Sequence, residues 1–228
     1  GIQDFVTAPR DIVSLRNRNA ELEAQVSLLQ TQVIELQQRV NETEILAALV
    51  DFSRSNPEST YKAAAVIGRD PSPFLHYIII NRGSNDDILR GMPVVTNQGL
   101  VGRVDAVIAD AARVQLITDP ASAVNVYLQN ADTDAVLLGS VTGDVSLDMI
   151  SQDTVVEPGD LILTSGLGGG YPADLLIGQV VNVRTLEFEL FQQGAVQPAV
   201  DFSRLEIVPP LTNFRPADLT PLQPQPTP

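Results

Sequence analysis

Apolar residues recur from position 12 with alternating gaps of three and four: Ile12, Leu15, Leu22, Val26, Leu29, Val33, Leu36 and Val40, with polar Asn19 in phase. Written as heptads, the a positions are Ile12, Asn19, Val26, Val33, Val40 and Ala47, and the d positions are Leu15, Leu22, Leu29, Leu36, Thr43 and Val50. β-Branched residues at a with Leu at d favour two parallel helices, and one buried Asn at a sets register and number at some cost in stability. The flanking charges agree: in a parallel pair Asp11 faces Arg16, Arg18 faces Glu23 and Arg39 faces Glu44. A helix packed on its own domain carries a wider apolar stripe than this a/d seam. No second heptad segment occurs in the chain to cover it. The pattern therefore predicts a coiled coil with another molecule, most simply a second copy. Its dimer interface comprises Ile12, Leu15, Asn19, Leu22, Val26, Leu29, Val33, Leu36 and Val40. Residues 12–50 would form a rod about 57 Å long at 1.5 Å per residue. Pro9 precedes it, and Pro57 is expected to end it.

From Tyr61 the period changes. Short β-rich runs bounded by Gly, Pro, Asn and Asp include residues 77–80, 93–96, 100–107, 113–118, 124–128, 135–138, 161–164, 177–183, 186–190 and 205–208. In two of them the alternation is clear: Val124, Val126 and Leu128 share one face, and Leu186, Phe188 and Leu190 oppose Glu187 and Glu189. Many short strands with regular turns indicate a barrel or sandwich. An internal echo sharpens this. GMPVVT at 91–96 matches GDLILT at 159–164, and LVGRVDAV at 100–107 matches LIGQVVNV at 176–183. Strand, glycine turn and strand thus occur twice, and the second turn is longer by eight residues. This predicts two similar β-domains, with the shared glycines at bends or bulges of small barrels. The end of the chain, 209–228, holds 7 of the 16 prolines and is expected to be an extended or disordered tail.

Composition narrows the partners. A net charge of -14 with only 14 scattered Lys and Arg makes nucleic acid or an anionic membrane surface a poor partner. The absence of Cys removes disulfides, zinc–thiolate sites and cysteine nucleophiles, and it fits an extracytoplasmic bacterial protein. No segment reaches the 18 or so apolar residues of a membrane span, and no signal peptide is visible. Because the chain begins with Gly1, it reads as an excised fragment, from which any membrane anchor would have been cut away.

Catalytic chemistry is thin. His76 is the single histidine and lies beside Tyr77 and the run Ile78, Ile79, Ile80, as a structural strand residue would. A trypsin-like serine hydrolase would need His76, Asp119 and Ser165 as a triad, but Ser165 lies in TSGLGGG without a nucleophile motif. The glycines of residues 166–170 lack the GK[ST] ending of a phosphate loop and the helix of a dinucleotide site, so a mobile, exposed hairpin loop is expected. Tyr171 on that loop is either tucked against its own barrel or open to a partner, and tucking is favoured. Asp132, Asp134, Asp148 and Asp153 lack calcium-loop spacing and read as carboxylates on solvated turns. No cofactor, metal or catalytic residue is expected.

At this point three ordered motifs stand out: INRGSNDDILRGMPVVTNQGLVGRV, LITDPASAVNVYL and GDLILTSGLGGGYPADLLIGQV. With the preceding coiled coil they resemble the MreC family of bacterial rod shape-determining proteins, over about residues 15–208. Asp87 and Asp174 stand where that family often has Gly, but Asp tolerates turn conformations well. The resemblance implies a mainly β fold with an N-terminal α-helical coiled coil and two small β-barrel domains. The expected boundaries are 1–9 for a membrane-proximal segment, 10–56 for the helix, 61–118 and 119–208 for the barrels, and 209–228 for the tail. The resemblance also implies a non-enzymatic homodimeric scaffold of the cell-elongation complex, capable of higher self-assembly. Such a scaffold is anchored by a single membrane pass with this chain outside the cytoplasm, and it associates with MreD, MreB, RodA and the elongation-specific penicillin-binding protein.

Overall fold

A computed structural model of the chain describes residues 15–33, 35–36, 60–72, 74–185 and 190–217. The chain divides into two units, 1–48 and 49–228. In the first, residues 15–33 and 35–36 are helical. The positions expected to end the rod, Pro9 and Pro57, lie outside the described residues, as do the seam residues Ile12, Val40, Thr43, Ala47 and Val50.

The second unit is built from strands. The first five are β1 (Ala64–Arg69), β2 (Tyr77–Ile80), β3 (Pro93–Val95), β4 (Leu100–Val107) and β5 (Ala112–Leu116). Six more follow: β6 (Ala123–Leu128), β7 (Thr133–Gly139), β8 (Val145–Ser151), β9 (Leu161–Thr164), β10 (Leu176–Arg184) and β11 (Phe191–Pro198). The last is β12 (Ile207–Val208). Strands β10-β11-β8-β7-β6-β9 close into a barrel. Strands β12-β1-β2-β5-β4-β3 form the other six-stranded sheet, and Val94 bridges to Pro210 just past β12, so this sheet closes into a barrel as well. The closing bonds are Val95 N–H to the Pro209 carbonyl at 3.2 Å and Leu211 N–H to the Pro93 carbonyl at 2.8 Å.

The two barrels repeat one hairpin. Val94 pairs with Gly102 across β3 and β4, and Ile162 pairs with Gly178 across β9 and β10. Gly91 donates to Val104 at 2.7 Å and Val104 to Met92 at 2.8 Å; correspondingly, Gly159 donates to Val180 at 2.8 Å and Val180 to Asp160 at 2.9 Å. Gly91 and Gly159 both take positive φ, 88° and 97°, which glycine adopts without steric cost. The echo in the sequence is therefore a structural repeat, with the register shift of a bulge in each copy. The added residues of the second copy form a short 3-10 turn, Leu167–Gly169, between β9 and β10.

Alternation explains the cores. Val124, Val126 and Leu128 of β6 are fully buried while Ala123 and Asn125 are exposed, as period two requires. They join Leu137, Leu147, Ile150, Ile162, Ile177 and Val180 in the core of the second barrel. Ile78, Ile80, Val94, Val101, Val104 and Val114 fill the first. The hairpin β3–β4 serves both. Val94 and Val101 point into the first core, whereas their neighbours Val95 and Leu100 belong to the cluster of the second. A strand buried on both faces reads as a continuous apolar run, which is what VV and LV are. Each such side chain contributes about 1.5–3 kcal/mol by leaving water.

Several boundaries differ from those expected. The first barrel is not a continuous stretch of chain, because β12 pairs with β1, Ala64 against Val208. Arg69 anchors this return by donating to the carbonyls of Phe202 (2.8 Å), Ser203 and Leu205 (both 3.1 Å). The expected tail also begins too early, since Pro209, Pro210 and Leu211 are buried and hydrogen-bonded; residues 218–228 lie outside the described residues. Residues 186–189 of the expected strand 186–190 also lie outside them, and the strand observed in that region is β11, from Phe191.

Candidate interaction site

The helix presents its seam to solvent. Leu15, Leu22, Val26, Leu29, Val33 and Leu36 are all exposed, from 49% to 67%. Asn19 is also exposed. Val26, Leu29, Gln30 and Val33 line an open apolar groove along the helix. Thr31 returns its hydroxyl to the Ser27 carbonyl at 3.0 Å, so its polar atom is satisfied within the helix and away from the a/d stripe.

The first barrel carries a second apolar surface. Period two turns Ile78 and Ile80 inward and Ile79 outward, so three successive isoleucines leave the middle one 40% exposed. With Ala106, Ile108, Ala111 and the Arg113 stem it lines a shallow groove at the β2–β5–β4 end of the barrel. Ile108 is 69% exposed. Arg113 borders the groove and is held in place: its guanidinium pairs with Asp105 and lies 4.9 Å over the Tyr77 ring. The hydrogen bond to Asp105 raises its pKa. Burial, then the charges of Asp119 and Asp105, raise that of Tyr77. The run Ile78, Ile79, Ile80 was the available signal for this surface, because a barrel strand covered on one face only exposes alternate members of an all-apolar run.

The residues that a triad would need are otherwise engaged. Asp119 is fully buried, and its carboxylate accepts from His76 backbone N–H (2.9 Å), Gln115 Nε2 (2.9 Å) and Ala121 N–H (3.0 Å). The His76 ring meets the Thr118 carbonyl through Nδ1 at 2.8 Å. Ser165 bonds locally: Leu167 N–H donates to its hydroxyl at 3.2 Å, and its own N–H donates to Asn125. Asp119 thus fastens β2 to the turn that leads into the second barrel, and His76 and Ser165 each bond elsewhere, not to one another. Among the described residues no three His, Cys, Asp or Glu side chains group as metal ligands would. Asp132 instead accepts the Tyr127 hydroxyl.

The glycine loop is pinned at several points. Thr164 Oγ1 donates to Pro172 O at 2.6 Å and accepts from Leu175 N–H at 2.9 Å. Asn125 Nδ2 donates to Leu167 O at 3.0 Å. Gly166, Gly168 and Gly169 have φ of 75°, 77° and 65°, so the turn needs residues without a Cβ. Asp174 closes it at φ 66°, as Asp87 does at φ 62° in the first motif, so both departures from the family's glycine sit where a left-handed residue is required. Tyr171 is tucked, only 8% exposed, in the core cluster of the second barrel. Burial pushes its hydroxyl pKa up to about 12, against the opposing pull of Arg103 from β4. This loop is therefore less open than the glycines alone suggest.

These features define a class: a tandem β-barrel protein preceded by a helix with an exposed apolar seam. The family model for the rod shape-determining protein MreC, barrel core, matches residues 66–209, and the chain belongs to the MreC family. A cell shape-determining protein MreC of Cereibacter sphaeroides is 34% identical over 164 residues, 71% of this chain and 53% of the relative. One of Escherichia coli K12 is 28% identical over 199 residues, 87% of this chain and 53% of the relative. The chain thus spans about half the length of these curated relatives. A solved MreC structure superposes with a TM-score of 0.71 at 26% identity, covering 75% of this chain and 98% of its own. The fold also recurs, with a TM-score of 0.57 at 16% identity and coverage of 68% and 99%, in a complex between Penicillin-Binding Protein (PBP2) and MreC from Helicobacter pylori. No helix among the described residues is long and apolar enough to cross a membrane.

Proposed function

We propose that the chain is a non-enzymatic scaffold of the bacterial cell-elongation complex that positions peptidoglycan synthase activity to maintain rod shape. Two copies join through the seam of Ile12, Leu15, Asn19, Leu22, Val26, Leu29, Val33, Leu36 and Val40, with higher self-assembly open to the dimers. The parallel rod holds the barrels on the extracytoplasmic side, and a single-pass anchor outside this chain ties it to the cell membrane. The observation that carries the reading is the unshared a/d stripe. Six apolar seam residues face solvent on the helix while both barrels complete their own cores, so the stripe has its natural use in a second helix.

The elongation-specific penicillin-binding protein is the proposed synthase partner. The Helicobacter complex supports this choice, since a protein of the same fold is named there with PBP2. The docking face proposed on this chain is the groove around Ile79 and Ile108. Because both barrels close, they leave few free strand edges, and side-chain contact is the available mode of attachment. MreD, MreB and RodA are proposed as further members of the assembly on the family resemblance.

Two measurements on one preparation test the reading. Light scattering should give a dimer for the full chain, and Leu22→Ser with Leu29→Ser should give a monomer with unchanged barrels. Ile79→Ser with Ile108→Ser should weaken capture of the host's elongation-specific penicillin-binding protein and leave the dimer intact. A monomeric full chain, or undiminished capture by the barrel variant, would overturn the corresponding half.

A further inference from the structure

We infer that residues 209–217 are a latch that fixes the angle between the two barrels. The segment is fastened to the first barrel along its length. Pro209 and Pro210 have no N–H to leave unpaired, and their carbonyls accept from Val95 (3.2 Å) and Lys62 (3.3 Å) on opposite sides. Leu211, the first residue able to donate, bonds to Pro93 at 2.8 Å. Thr212 then gives both its N–H and its hydroxyl to the Thr60 carbonyl, at 2.8 and 3.0 Å, and Thr60 N–H returns a bond to Asn213 Oδ1 at 3.1 Å. Pro216 continues over Gly91, where a Cβ would lie only 2.7 Å from the proline ring.

Beyond this the segment reaches the second barrel. Ala217 N–H donates to the Gly169 carbonyl at 3.0 Å, and a Cβ on Gly169 would come within 2.7 Å of the Ala217 methyl. The glycine loop is thus shaped to receive the passing chain. Leu211 and Phe214 pack in the same apolar cluster as Tyr171 of that loop and Val95 and Leu100 of the first barrel's hairpin. One layer of side chains therefore contains a member from the first barrel, the second barrel and the latch.

The two attachments differ in strength. On the first barrel the latch is a strand extension with a hydroxyl and an amide clasp. On the second it has, past Leu211 at the edge of the shared cluster, one backbone bond and a half-buried Phe214, flanked by exposed Asn213, Arg215 and Ala217. Release would begin at the second-barrel end, and it would free the barrel angle before either barrel lost its own core. This inference is independent of the dimer and of the synthase partner.

The chain has no Cys, so spin labels can be placed cleanly at Asp110→Cys and Asp153→Cys, both exposed and one in each barrel. Double electron–electron resonance on the full chain, diluted with unlabelled chain, reads the intramolecular distance. Ending the chain after Thr212 should broaden the distribution and move its mean while circular dichroism stays β-type. Phe214→Ala with Ala217→Pro, which removes the packing and the amide donor but keeps the length, should do the same. If the shorter chain fails to fold, the double variant decides alone. A distribution as narrow and centred as that of the intact chain would overturn the latch and leave the angle to the β3–β4 hairpin.

Discussion

Gly102 and Gly178 hold the same place in the two barrels, each facing a backbone carbonyl of the neighbouring strand. A Cβ would stand 1.9 Å from Gln115 O at Gly102 and 2.1 Å from Gln197 O at Gly178. Neither position can take even a methyl group without moving a strand. Gly102→Ala and Gly178→Ala should each destabilise the protein by about 3 kcal/mol, the upper range for overpacking a rigid site. Urea unfolding of the two variants checks this. Stability near that of the parent in either would mean that the strand yields there.

Asp119 should matter to stability alone. Its carboxylate satisfies three donors, and Asp119→Ala takes the acceptor from two backbone N–H groups and leaves the buried Gln115 amide with only its longer bond to the Tyr77 hydroxyl, 3.4 Å. The expected loss is about 2–4 kcal/mol. Asp119→Asn keeps an acceptor oxygen and should recover part of it. Thermal unfolding of the pair distinguishes this structural role from none.

Tyr171 makes stability depend on alkaline pH. Its hydroxyl titrates near 10 when unfolded but only at about 12 when folded. Between those values the unfolded chain loses the proton first, so stability is full below pH 10 and falls as pH rises toward 12. The loss from this group is on the order of 3 kcal/mol. Tyr77 and Tyr127 are also raised and add to the parent's slope. The test is therefore the difference between parent and Tyr171→Phe in urea unfolding at pH 9 and pH 11. The variant should show the shallower fall, and parallel curves would remove Tyr171 from the effect.

Asn19 should trade stability for specificity in the proposed seam. Asn19→Ile would put a β-branched apolar residue at an a position. The assembly should melt at a higher temperature and form species larger than the dimer as concentration rises. Calorimetry and light scattering over a concentration series give the two readouts. No change in either would place Asn19 off the seam.

A fragment of residues 60–217 should keep β-type circular dichroism, since both barrel cores and the latch lie within it. The proposed dimerisation should be lost with the helix. Sedimentation at several concentrations checks both expectations, and a fragment as dimeric as the full chain would move the interface to the barrels.

What the sequence determined by itself are the features that depend on local period. The a/d stripe, the change to β at Tyr61 and the twin hairpins could all be read because helix and strand repeat at short, fixed intervals. Even the departures Asp87 and Asp174 were legible, since a left-handed turn residue leaves a local signature. Three strands were not, β1 (Ala64–Arg69) among them. In β8, Met149 takes φ 60°, so Leu147 and Ile150 both face inward three residues apart and the alternation breaks. In β11, FQQGAVQP carries three glutamines that break the apolar alternation, and Gln192 is buried because its amide donates to the carbonyls of Ser151, Gln152 and Thr154. Only the tertiary structure decided that the proline-rich end returns to the first barrel, that β3 and the start of β4 are buried on both faces, and that Asp119 is an internal anchor. Each depends on which distant residue lies opposite. A buried carboxylate meeting three donors and a carboxylate on a solvated turn are the same letter in the chain, and folding alone gives them different surroundings.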